Sequence, residues 1–118
     1  MDDYDKLNVE RTDTIDGLAF DKETSSLILL LADGMDWIDE NRHLMLLQEK
    51  LNNYIKYIDS KQYLENFPNV KKIEWQIHFL FKEPYKCYQL LEHLKMIMAD
   101  DFKDVKIFIE HGTKSSFD

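Results

Sequence analysis

The sequence predicts an α+β domain in the order β-β-α-β-α-β, a four-stranded sheet with two helices packed on one face. Three observations carry this reading. The stretch "KKIEWQIHFLFK" alternates, with Ile73, Trp75, Ile77, Phe79 and Phe81 on one side and Glu74, Gln76, His78, Leu80 and Lys82 on the other. That is the period of a strand with one buried face. From Ile38 to Asp59 the residues Leu44, Leu47, Leu51, Tyr54, Ile55 and Ile58 recur at three- and four-residue spacing, the stripe of an amphipathic helix about 30 Å long. Ahead of it, two apolar runs, Ile15 to Phe20 and Leu27 to Ala32, flank the polar "DKETSS" as in a β-hairpin.

In chain order, residues 1–12 show no apolar periodicity and read as a flexible acidic tail, so the domain is expected over 13–111. The second run is apolar at every position from Leu27 to Leu31, which places that strand centrally in the sheet or buries it on both faces. Asn66, Pro68 and Asn69 mark the loop after the first helix. Pro84 suits the first turn of a second helix, where a missing amide costs nothing, and Cys87, Leu90, Leu91, Leu94, Ile97 and Met98 form its stripe. "DVKIFIEHG" alternates Val105, Ile107 and Ile109 against Lys106, Phe108 and Glu110, and residues 112–118 read as a polar tail. Two helices with one stripe each, and strands with one apolar face, pack most simply with both helices on the same side.

At 118 residues with 44% hydrophobic content the chain is sized for one core. The amino terminus carries no apolar run and no segment approaches the roughly 20 apolar residues of a membrane span, so a cytoplasmic location is expected and no membrane contact. The single cysteine, Cys87, fits a reducing compartment and rules out a multi-cysteine zinc site. A net charge of −8 argues against nucleic acid as partner, because phosphates call for clustered Lys and Arg. The imbalance sits in residues 1–40, where 12 acids face three bases. Such a surface would draw a basic protein partner.

The densest cluster of chemistry-bearing residues is "GMDWIDENRH", with Asp36, Asp39, Glu40 and His43. Glu40 and His43 form an E-x-x-H pair, but a di-iron site needs that motif twice and a zinc hydrolase helix needs two histidines four apart. Neither is present. The residues are accounted for as a helix start: Asp36 as N-cap, Asp39 and Glu40 at the positive end of the dipole, and Trp37 and Ile38 packing the entrance. On this reading His43→Ala leaves stability nearly unchanged. His78, His93 and His111 fall at no ligand spacing, Cys87 lies in a core stripe, and Gly17, Gly34 and Gly112 form no phosphate loop. No catalytic residue, metal or cofactor is expected.

The hairpin "IDGLAFDKETSSLILLLAD", the "MDW" after it and the helix "HLMLLQEKLNNYIKYI" resemble a family of small uncharacterised bacterial proteins with a domain of unknown function. In that family a strand ending in Ser-Asp or Ala-Asp leads through Asp-Trp into a helix reading H-L-x-L-L-Q-E-K-L-N-x-Y. The resemblance spans residues 13–111 and implies the fold and a bacterial origin, without an activity. Gln48, Glu49, Lys50 and Asn52 of the motif read as a solvated helix back.

These readings lead to a non-catalytic protein-binding module, with a toxin-immunity protein as an analogy of size and acidity. Asp33, Asp36, Asp39 and Glu40 are the expected acidic contact for a basic partner. Leu80 and Phe108, apolar residues on the otherwise polar sheet face, are the expected covered surface. A small enzyme or ligand-binding protein using the acidic helix entrance is the first alternative, and a homodimer without a separate partner the second.

Overall fold

The computed structural model describes residues 9–117. Its elements are β1 (Gly17–Asp21), β2 (Ser26–Asp33), α1 (Glu40–Ser60), a 3-10 turn at Gln62–Glu65, β3 (Lys72–Phe79), α2 (Tyr85–Asp101) and β4 (Val105–Glu110). This is the β-β-α-β-α-β order with a four-stranded sheet that the patterns predict. Strand order across the sheet follows chain order, β1-β2-β3-β4. β1 runs antiparallel to β2, while β2, β3 and β4 are mutually parallel.

The hairpin turn is closed locally. The Asp21 carboxylate accepts the Glu23 amide at 2.9 Å, and Ser25 takes a left-handed conformation at φ 55°. Both helical crossovers step the same way, from β2 to β3 and from β3 to β4, which sets both helices on one side of the sheet. On that side Leu27, Leu29 and Leu31 of β2 and Ile73, Trp75, Ile77 and Phe79 of β3 are buried, together with Leu47, Leu51, Tyr54 and Ile58 of α1 and Cys87, Leu91, Leu94 and Met98 of α2. Tyr54 stacks on Trp75 with ring centroids 5.4 Å apart, joining α1 to the middle of the sheet. β2 is a central strand, as its continuous apolar run implies, and its outer residues Ile28, Leu30 and Ala32 are half-buried.

Of the tail expected over 1–12, residues 1–8 lie outside the described residues. Val9, by contrast, is fully buried in the core, and Asn53 on α1 donates to the Thr12 carbonyl at 2.9 Å. The ordered chain therefore begins before residue 13. The polar stretch from 112 is also held. Lys82 N–H donates to the Lys114 carbonyl, Thr113 and Lys114 donate to the Leu80 carbonyl, and the Trp37 amide donates to Ser116 Oγ at 2.9 Å. Gly112 permits this closure, because a Cβ there would overlap the backbone of Phe81. No helix among the described residues is long and apolar enough to cross a membrane.

Candidate functional site

At the carboxyl end of β2 the inward parity of Leu27, Leu29 and Leu31 continues to Asp33, which places a carboxyl group inside the domain at 2% exposure. α1 answers it. His43 lies one turn before Leu47 on the buried stripe and is itself fully buried. Its Nε2 is 2.5 Å from Asp33 Oδ2, and its Nδ1 is 2.7 Å from the Asp36 carbonyl oxygen. A carbonyl can only accept, so Nδ1 carries a hydrogen. The Nε2–Oδ2 contact then holds one proton, giving a pair that is neutral as a unit. Asp33 Oδ1 accepts the Met35 amide at 3.0 Å, and the Trp37 indole stacks on the imidazole with ring centroids 3.5 Å apart. Burial pushes the Asp33 carboxyl above its ordinary value of 3.8, an effect that the hydrogen bond and charge of His43 partly offset.

Seven residues further along the same stripe, Lys50 is also fully buried. Its ammonium donates to Asp16 Oδ1 at 2.8 Å, and Asp16 Oδ2 accepts the Ala32 amide at 2.8 Å. The Tyr54 hydroxyl donates to the Leu30 carbonyl at 2.5 Å and accepts the Asp16 amide at 2.9 Å. Burial, opposed in part by that backbone bond, pushes the Tyr54 phenol well above its usual range. Together these groups tie the chain before β1 to α1 and β2. A third pair lies past β3, where Glu83 accepts the Gly112 amide at 2.6 Å and pairs with His111 Nδ1. Beside it burial, then the charges of Glu83 and Asp33, push the Cys87 thiol far above its ordinary range. Two buried donors, the indole N–H groups of Trp37 and Trp75, meet no acceptor among the described residues.

The acidic cluster read from the sequence divides. Asp33 is turned inward and cannot belong to a contact surface. Asp36 is not the N-cap: helix α1 starts at Glu40, and Asp39 caps it by accepting the Arg42 amide at 3.3 Å. Asp36 instead holds the bend before the helix, its carboxylate accepting the Ile38 amide and its carbonyl accepting from His43. Glu40 lies in the first turn, as expected. The E-x-x-H spacing of Glu40 and His43 makes no ligand pair, because both ring nitrogens of His43 are engaged. Among the described residues no three His, Cys, Asp or Glu side chains gather as a metal site. Phe108 stands on the uncovered sheet face at 48% exposure, beside Gln76. Leu80 lies one residue past the end of β3, half-buried, and its N–H donates to the Asp33 carbonyl.

The sequence reading missed the pairs Asp33–His43 and Asp16–Lys50 by giving His43 no structural role and placing Lys50 on a solvated helix back. Position was the available signal, since His43, Leu47, Lys50, Leu51 and Tyr54 fall on one helical face.

The model of a family of unknown function, DUF6572, matches residues 7–111. The chain belongs to that family. The match spans every element of the DUF6572 fold seen here, from Val9 in the core to the end of β4. No curated protein and no solved structure matches the chain.

Proposed function

We propose that this DUF6572 protein is a non-catalytic protein-binding module that works through the uncovered face of its sheet. The observation that carries the reading is that face itself. Phe108 is half-exposed on the edge strand β4, Gln76 of β3 lies beside it with Ile28 and Leu30 of β2 one strand further in, and Lys106, Glu110 and Glu74 flank it. An exposed aromatic set among polar and charged side chains is the form of a protein contact. The interior supports the same reading from the other side: both nitrogens of His43 and both carboxylate oxygens of Asp16 and Asp33 already have partners, so none of them is free to act on a substrate.

With a net charge of −8 and the carboxylates of Glu74 and Glu110 on the same face as Phe108, the partner that fits is a basic protein. A cytoplasmic bacterial immunity protein, masking a cationic toxin, is the biological setting this chemistry suits. Of the helix motif quoted above, His43, Lys50 and Tyr54 turn inward to the polar network of Asp33 and Asp16, while Gln48, Glu49 and Asn52 are exposed. The test is capture of partners with tagged wild-type protein and with the Phe108→Ser and Glu74→Lys variants. The reading expects a basic protein held by the wild type at low salt, released as salt rises, and lost from both variants. Equal retention by all three would overturn it.

A further inference from the structure

We infer that the chain forms a two-fold dimer by pairing the free edge of β4 with β4 of a second copy. Among the described residues nothing pairs with the side of β4 away from β3. The Ile73 amide donates to the Asp104 carbonyl, and with the parallel register Ile73↔Val105 this fixes which backbone groups of β4 face β3: those of Lys106, Phe108 and Glu110. Ile107 and Ile109 therefore turn their N–H and C=O groups outward. An edge of this kind is a template for another strand, and no proline interrupts its six residues.

The side chains select the second strand. In an antiparallel pairing centred on Phe108, each Ile107 meets Ile109 of the other copy, and the outward groups exchange both hydrogen bonds at each end. Phe108 then faces its own copy in a non-hydrogen-bonded pair, where side chains approach most closely. Lys106 faces Glu110, also in a non-hydrogen-bonded pair, once on each side of the axis. Centring on Lys106 or on Glu110 instead sets a charge against itself, and centring on Ile107 sets Lys106 against Phe108. Only the Phe108 register gives two attractive charge pairs. Lys106 and Glu110 are exposed and lie on the uncovered face, where their neighbours within the chain are Glu74 and His78, the latter 3.4 Å from Glu110. The strand is thus self-complementary, and its pairing yields a continuous eight-stranded sheet. This inference does not depend on the binding role proposed above.

The test is a charge exchange read by sedimentation at protein concentrations up to about 200 µM. Wild type should be a dimer. Lys106→Glu and Glu110→Lys alone should each weaken it by about tenfold or more, since each sets like charges opposite one another on both sides of the axis. An equimolar mixture of the two variants should recover the dimer, because in the heterodimer every charge faces its opposite. Amide exchange at Ile107 and Ile109 in the unmodified protein should slow as concentration rises. A wild type that stays monomeric, variants as dimeric as wild type, or a mixture that stays monomeric would each overturn the inference.

Discussion

The imidazole of His43 and the carboxyl group of Asp33 share one proton across 2.5 Å, with neither side chain exposed to solvent. A His–Asp contact in a cleft would invite a catalytic reading. Here the second ring nitrogen is held by the Asp36 carbonyl and the imidazole is covered by Trp37. The pair joins the end of β2 to the first turns of α1.

His43→Ala should therefore be strongly destabilising, contrary to the expectation from sequence. It removes the partner of a buried carboxyl and the ring under Trp37, and breaking a buried pair from one side costs about 3 kcal/mol or more. Urea unfolding of the single variants and of an Asp33→Leu/His43→Leu double variant measures this. The double variant should lie nearer the wild type than the two single losses sum to.

The identity of the cap gives a sharper contrast. Asp39→Ala should cost about 1 kcal/mol, because the Arg42 amide loses its acceptor. Asp36→Ala should cost less than that, since its carboxylate only closes the bend at Ile38 while its carbonyl, which holds His43, is retained. Thermal melts of the two variants side by side decide the order. A larger loss for Asp36→Ala would move the cap back to that residue.

Stability should also depend on pH through Asp33. Its carboxyl group binds a proton more readily in the folded chain than in the unfolded one, where its value is the ordinary 3.8. Below 3.8 both states are protonated and the contribution is fully present. As pH rises from there to the higher folded value, the folded state holds more protons than the unfolded, so this contribution is lost, at up to about 1.4 kcal/mol per pH unit. Asn at position 33 keeps a donor toward His43 and does not titrate. Wild type should thus lose stability relative to Asp33→Asn as pH rises, and urea midpoints of both proteins between pH 4 and 8 report the difference.

The strands and helices were legible because their apolar residues recur at periods of two and about 3.6, as in the alternation from Ile73 to Phe79. Strand order was not, since hairpin and crossover patterns permit several arrangements of the same elements. The interior polar network stayed hidden for a different reason. His43 and Lys50 are polar residues on an apolar stripe, where a pattern of apolar positions gives them no place. Their partners Asp33 and Asp16 come from segments 10 and 34 residues away, a juxtaposition that only the folded chain makes. Phe108 was readable from strand parity alone.

The central claim is that the interior pairs hold the fold while the uncovered sheet face does the binding. The most direct measurement is partner affinity for Phe108→Ser and Asp33→Asn, taken well below both melting temperatures together with each protein's melt. Phe108→Ser should melt near the wild type and lose the partner by about tenfold or more, as truncation of an aromatic contact residue does. Asp33→Asn should bind as the wild type does. A Phe108→Ser protein that binds normally, beside a folded Asp33→Asn protein that does not, would contradict the account and move the function into the interior pair.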